Sequence, residues 1–273
     1  MTTTAPLGRV SDLWRFPVKS MQGERLAEAR IGPEGLAGDR AYALLDVEAG
    51  EVISASNRHF PGILDCATSF TEPHRGDGQA PPVRVTLPGG ASAGSDSEAI
   101  SSLLSSHFGR EVALIRSVPG KYAGKQAAFF DRVGLPTAAP AGSFVDLCPL
   151  SIISTATLAR LSGARPGSKF DPRRFRMNIV IETGASGFAD NAWVGRQLAL
   201  GAEVRVTINM PDPRCVMTTL PQGDLPKDPD ILRSVTQLNS LPVGSGGPLP
   251  CAGVYATVET PGVVRVGDRV MLA

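Results

Sequence analysis

Cys215 stands in NMPDPRCVMTTLPQGD, where a Val- and Ile-rich stretch runs into a proline-flanked turn and delivers Arg214, Cys215, Thr218 and Thr219 close together. This is the setting of an exposed turn rather than of a core cysteine, and an adjacent arginine favours thiolate over thiol. A thiolate is both a nucleophile and a soft ligand suited to a sulfur-bound metal. The positive groups form a second set: Lys19 in FPVKS at the end of a strand, Arg40 in GLAGDR at a Gly-rich turn, and Arg173, Arg174 and Arg176 in DPRRFRMN ahead of a strand. Singly each reads as a solvated surface charge. Together they suit a pocket for an anion, since guanidinium forks match phosphate oxygens. Gly23, Gly35 and Gly38 lie close by and allow tight backbone approach. There is no P-loop and no GxGxxG, so a nucleotide fold is not supported.

The elements that must position these groups are mostly strands. RVSDLWRFPVKS through DVEAGEVISAS alternates apolar and polar residues around Gly/Pro turns, and VRVTLPGGAS continues the pattern. SDSEAISSLLSSHFG predicts a helix capped by Ser95 or Asp96, with Ile100, Leu103, Leu104 and Phe108 on one face and Gly109 as its stop; His107 is a helix-end residue. GKYAGKQAAFFDRVGLPTAAPAGSF is irregular and reads as the linker between a unit at 1–120 and a unit at 121–273. In the second unit FVDLCPL is a strand or turn, and SIISTATLARLSG is a short helix carrying Ile153, Leu158 and Leu161 inward to Gly163. MNIVIET and RQLALGAEVRVTINMP are strands by β-branched content. KDPDILRSVTQLN is a helix with Asp228 at the cap, Pro229 at its first position and Ile231, Leu232, Val235 and Leu238 inward. CAGVYATVETPGVVRVGDRVMLA reads as a hairpin about Pro261 and Gly262. The fold class expected is mixed α/β but β-rich: a β-barrel core with covering helices, plus a strand-rich N-terminal domain.

Bulk properties limit the function. The 273 residues, 42% hydrophobic and 19% charged, are enough for one large or two modest domains with a buried core. A net charge of +1, with no nucleic-acid-binding motif, argues against a nucleic-acid partner. The N-terminus lacks a signal-peptide pattern and no run of about 18 apolar residues is present, so no membrane association and a cytoplasmic location are expected. The four cysteines, Cys66, Cys148, Cys215 and Cys251, are scattered, which indicates neither a zinc knuckle nor a disulfide framework. No clustered ferredoxin-type cysteines occur, so electrons for any redox reaction come from another molecule.

FPVKS, GLAGDRAYALLD, STATLARL, RRFRMNIVIE, FADNAWVG, PRCVMTT and GVVRVGDRVML follow the order found in MOSC proteins that carry a MOSC N-terminal β-barrel domain. Over nearly its whole length the chain resembles that family, on the branch of the mitochondrial amidoxime-reducing component and its bacterial relatives. The resemblance implies a molybdenum cofactor, Mo-molybdopterin, with Cys215 as the catalytic residue and molybdenum ligand. It implies that Lys19, Ser20 and Arg40 hold the pterin and its phosphate, that Arg176 and Asn178 are the R-x-N pair, and that Asp146 lies near the pterin. Cys148, Arg174, Arg214, Thr218 and Thr219 complete the expected cofactor-binding set. The chain departs from the family's pattern at Leu147 and Cys148, where relatives carry threonine and serine, at Met177, where proline is common, and in VISASNR, where an arginine common in relatives is not at the aligned place.

The activity so implied is reduction of N-hydroxylated or other N-oxygenated small molecules with electrons from a separate flavin or iron–sulfur partner; pyridoxal phosphate is not required. The alternative is a sulfur-transfer or cofactor-handling protein carrying a persulfide on Cys215, and a third reading is a pathway-specific or cofactor-free relative. Asp190 and Trp193 in GFADNAWVG read as residues that pin a loop to the barrel. His59 is a loop histidine that could serve near a substrate, and Asp131 and Arg132 could shape an entrance.

Overall fold

The computed structural model of the chain describes residues 6–74, 76, 78–118, 134, 143–245 and 247–272. The boundary near residue 120, Asp131 and Arg132 lie outside the described residues, as does the expected linker except for Gly134, Ser143 and Phe144.

The fold is mixed α/β and β-rich: a seven-stranded barrel, smaller sheets and, among the described residues, three α-helices. Around the barrel run Leu150–Ser154, Ile179–Glu182, Pro6–Arg15, Arg269–Leu272, Gln197–Leu200, Val204–Pro213 and Pro248–Thr260, and pairing of the last with the first closes the ring. Leu150–Ser154 and Ile179–Glu182 are parallel, joined through the helix Thr155–Ala164, as a parallel pair requires a crossover. With both faces covered, LSIIS is buried at every position and reads as an apolar run. The remaining pairs around the barrel are antiparallel.

The barrel takes one strand from the N-terminus: Pro6–Arg15 lies between Ile179–Glu182 and Arg269–Leu272. Its interior is filled by Leu13, Ile31, Leu150, Ile152, Ile179, Ile181, Leu198, Val206, Ile208 and Val254. A second core, from Val18 to Val112, packs Leu44, Ile53, Phe60, Leu64, Val83, Val85 and Leu104 between two small sheets and the helix Ala99–Phe108.

Several local expectations are corrected. The closing segment is not a hairpin. Pro248–Thr260 pairs with Val204–Pro213 and Leu150–Ser154, Gly262–Arg265 crosses to Glu28–Gly32, and Arg269–Leu272 pairs with Pro6–Arg15 and Gln197–Leu200. Burial of Val264 and Val270 against different partners outweighs the local turn signal. Ile153 belongs to a strand, since Ser154 is the cap of the following helix and its hydroxyl accepts from Thr157 N at 3.1 Å; that helix runs one residue past Gly163, to Ala164. Ser95 binds Val83 N at 3.0 Å instead of capping the helix Ala99–Phe108, whose first amide is met by Ser97. Gly109 ends that helix in the left-handed region, as expected. Asp228 accepts from Asp230 N at 2.9 Å, one residue ahead of Pro229 at the cap of Asp230–Leu238.

Gly253 (φ 79°) sits in the strand Pro248–Thr260 beside the backbone of Leu150–Ser154. A Cβ there would meet Met177 Cε and, at 2.6 Å, Ile152 O. Gly253→Ala is expected to destabilise by about 2–5 kcal/mol through left-handed strain plus overpacking. Urea unfolding checks this as a lowered midpoint at unchanged slope.

Candidate functional site

A cavity of about 280 Å³ opens where the N-terminal core meets the barrel. Of the residues singled out in the sequence it gathers Lys19, Ser20, Arg40, Asp146, Cys148, Arg176, Asn178, Arg214, Cys215 and Thr218. Arg174 and Thr219 lie off it. The Arg174 guanidinium is sealed inside and donates to the carbonyls of Lys169 (2.9 Å), Thr218 (3.3 Å), Leu220 (3.4 Å) and Pro226 (2.8 Å), so it pins the segment after Cys215 from behind. Thr219 donates to Val216 O at 2.7 Å. Arg173 pairs with Asp171 and Asp224 outside the cavity, and His59 is exposed and not part of the wall. Asp190 accepts from Ser154 N at 2.9 Å, and Trp193 packs in the barrel core, both in structural roles.

Three described residues other than glycine adopt the left-handed backbone: Ser20 (φ 65°), Arg40 (φ 48°) and Arg176 (φ 53°). All three line this cavity. Each such conformation costs of order 1–3 kcal/mol and persists only where the surroundings hold it. The Ser20 hydroxyl accepts from Ala55 N (3.0 Å), Arg40 N donates to Phe16 O (2.8 Å), and Arg176 N closes the turn Pro172–Phe175 on Arg173 O (3.0 Å). The glycines nearby do not touch the cavity; Gly35 (φ 101°) brings its backbone against Pro149.

The cationic wall is made by two arginines against one ring. The guanidinium carbons of Arg40 and Arg176 lie 4.8 and 4.2 Å from the centroid of buried Phe16. Arg40 is paired with Asp39 and donates to Arg176 O at 3.0 Å. Arg176 donates to Met21 O at 2.6 Å. Burial, and then the neighbouring Arg40 charge, lower the Arg176 guanidinium to about 9. Lys19 is paired with Asp146 and donates to Phe144 O at 2.8 Å. Asn178 accepts from Ser151 N and Ser151 Oγ, both at 3.1 Å, and so ties the strand Leu150–Ser154 to the R-x-N segment.

Cys215 reaches the cavity because its strand is bulged. Val204–Pro213 shifts register at Ile208/Met210 and at Pro211/Pro213, where proline has no N–H for the ladder. The Cys215 side is exposed to the cavity. One expectation about it is reversed: burial raises the thiol above its ordinary value, ahead of the opposing pull of Arg214. Arg214 spends its charge elsewhere. It pairs with Asp212 and donates to Ala252 O (2.9 and 2.7 Å) and Phe175 O (2.7 Å). Cys148, also on the wall, is pushed up to about 12 by burial and then by Asp212.

The structure adds wall residues that the sequence did not single out. Ser54, Ser56, Ser151, Asp212 and Tyr255 are polar, while Phe144, Phe175, Met217 and Leu249 give an apolar side. Their sequence signals were those of a turn, a strand or a core position.

Comparison with known proteins places this geometry in a family context. A model described as MOSC domain matches residues 140–271, and one described as MOSC N-terminal beta barrel domain matches residues 7–111. Mitochondrial amidoxime-reducing component 1 of Mus musculus is 25% identical, over 97% of this chain and 82% of its own length. Mitochondrial amidoxime reducing component 2 of Homo sapiens is 33% identical, over 47% of this chain and 38% of its own length. The crystal structure of the YUAD protein from Bacillus subtilis aligns over 97% of this chain and 94% of that one, with TM-score 0.46 and 10% identity.

Replacing Arg174 by methionine would leave the carbonyls of Lys169, Thr218, Leu220 and Pro226 without its donors. The expected loss is about 2–5 kcal/mol of folding stability, measured by denaturant unfolding. Hydrogen exchange in residues 216–226 is expected to rise more than exchange in the barrel strands.

Proposed function

Because the chain belongs to the MOSC family, joining a MOSC N-terminal β-barrel domain to a MOSC domain, we propose that it is a molybdenum-cofactor-dependent oxidoreductase that reduces N-hydroxylated or other N-oxygenated small molecules. Its electrons come from a separate flavin or iron–sulfur partner, and its setting is the cytoplasm. One observation carries this reading: an exposed thiol, Cys215, shares a cavity wall with Lys19, Arg40 and Arg176. No described helix is long and apolar enough to cross a membrane.

The residues present fit the cofactor. Among the described residues no three His, Cys, Asp or Glu side chains are grouped so that they could hold a metal ion, and a pterin dithiolene would supply further donors to a metal on Cys215. The wall carries four cations, Lys19, Arg40, Arg176 and Arg214, against the carboxyls of Asp146 and Asp212, which suits an anionic group. When bound, the cofactor supplies a metal that exchanges electron pairs and oxygen.

The chain's own contributions follow. Cys215 would hold the metal, and since burial keeps it a thiol in the empty protein, loading releases its proton. Lys19, Arg40 and Arg176 would hold the phosphate and pterin, with Ser20 and Thr218 beside them. Ser151 donates to the Arg176 carbonyl, and Asn178, bonded to Ser151, helps fix the direction of that segment. Phe144, Phe175, Met217 and Leu249 exclude water and receive the apolar part of a substrate. The substrate class follows the names of the amidoxime-reducing relatives. The persulfide reading keeps one supporting observation, the accessibility of the Cys215 thiol.

Protein expressed in a host that makes the cofactor is expected to carry molybdenum and pterin in near-equal amounts with the chain, by elemental analysis and by fluorescence of the oxidised pterin. Cys215→Ser is expected to lose the metal redox signal. A persulfide trapped on Cys215 in metal-free protein would favour sulfur transfer, and full ligand and activity in Cys215→Ala would sink both readings.

A further inference from the structure

Asp212 is the buried group of the cavity that cofactor binding leaves unused. It lies at the bulged end of Val204–Pro213 and forms part of the wall with no exposed surface. Oδ2 is held by Arg214, but Oδ1 has no partner in hydrogen-bond geometry although it is sealed from bulk water. A buried polar atom left open on a cavity wall calls for a ligand or a proton. Tyr255, on the paired strand Pro248–Thr260, lines the same cavity, and its phenol is the neutral side-chain neighbour that favours the Asp212 carboxylate.

Burial pushes the Asp212 carboxyl up to about 7. Arg214, Tyr255 and Arg40 pull it down, and Asp146 pushes it further up. The other titratable groups facing it are Cys148, Cys215 and Cys251. Burial raises the Tyr255 phenol well above its ordinary value, so it keeps its proton through neutral pH. A carboxylic acid poised near neutrality beside a phenol is the pair that general acid catalysis uses.

We propose that Asp212 and Tyr255 together form the acid that protonates the departing oxygen when an N–O bond is reduced in this cavity. The proposal rests on the reading of the protein as an N–O reductase. For a hydroxylamine-type substrate the balance is R–NH–OH + 2 e⁻ + 2 H⁺ → R–NH₂ + H₂O. The N–O bond breaks, and the electron pair originates in a reduced flavin or iron–sulfur donor. One proton passes from Tyr255 to the oxygen that leaves as water and is replaced from Asp212; after product leaves, the proton returns to Asp212 from cavity water by way of the partly exposed Tyr255. The second proton reaches nitrogen from solvent. Without the acid the oxygen would depart as hydroxide, a poor leaving group at neutral pH.

The test compares molybdenum-loaded wild type, Asp212→Asn, Asp212→Glu and Tyr255→Phe, with an aromatic amidoxime as substrate and a reduced viologen as donor, across the neutral pH range. Asp212→Asn keeps an oxygen for Arg214 but has no acid proton to give. Its kcat is expected to fall about 10²-fold or more while KM changes by less than about threefold. Wild-type kcat should decline as pH rises through about 7, where Asp212 loses its proton; that limb should be absent in Asp212→Asn and restored in Asp212→Glu. Tyr255→Phe should lower kcat without removing the limb. A second readout is independent of turnover: infrared difference spectra of cofactor-free protein should show a carboxylic acid band that disappears near pH 7 in wild type and is missing in Asp212→Asn. Unchanged kcat and pH limb in both Asp212→Asn and Tyr255→Phe would overturn the proposal alone, as would a wild type without that band. Fully loaded wild type that turns over no amidoxime would overturn the functional reading, and the proposal with it.

Discussion

A guanidinium removed from water must find acceptors for its N–H groups, and this site is organised by three that have been removed. Arg174, Arg176 and Arg214 lie within or against the turn that precedes Ile179–Glu182, and each reaches a different part of the chain. Arg176 takes up the Met21 carbonyl beyond Lys19, Arg174 takes up the segment behind Cys215, and Arg214 ties Phe175 to Ala252. Backbone carbonyls far apart in sequence are thereby fixed relative to one another. The positions of Lys19, Ser20, Cys215 and Thr218 follow from that lattice more than from any contact among themselves. The left-handed backbone at Ser20, Arg40 and Arg176 is the local strain that the same lattice holds in place.

The same bonding explains the electrostatics. An arginine next to a cysteine in sequence lowers the thiol's proton affinity only if its charge points at the sulfur. Arg214 instead faces inward, onto Asp212 and two carbonyls, so burial governs Cys215. The net result is a cavity whose positive charge sits on the side of Lys19, Arg40 and Arg176, while Cys215, Cys148 and Tyr255 keep their protons at neutral pH on a side where Asp212 is poised to gain or lose one.

Much of this was legible in the residues. Cys215 is flanked by the turn-forming prolines and threonines that bring it out, and Lys19, Arg40 and Arg176 stand at strand ends where side chains converge. What was not legible depended on pairings between distant segments. Asp212 sits between two prolines and reads as a turn residue, because nothing local reveals the bulge that turns it inward. Tyr255 reads as one more strand position. Arg174 and Arg176 are two residues apart and alike in sequence, yet one lines the cavity and the other braces the loop behind it, because they lie on opposite sides of one turn. The Pro261–Gly262 turn failed as a hairpin signal for the same reason: the strand after it has a better partner in Glu28–Gly32.

The barrel ring is completed by Pro6–Arg15, held between Ile179–Glu182 and Arg269–Leu272. Apart from Leu13–Arg15, which also pair with nearby Glu24–Leu26, its edges therefore wait on strands synthesised roughly 170 and 260 residues later, by the separation of those segments along the chain. Until Arg269–Leu272 has been made, the edge it will join has only the short pairing of Leu13–Arg15 with Glu24–Leu26, and its ladder positions from Pro6 to Arg9 stay open. Ring closure, and with it the assembled cavity, therefore comes late in the making of this chain, and the growing polypeptide must keep a partly apolar strand from pairing elsewhere in the meantime.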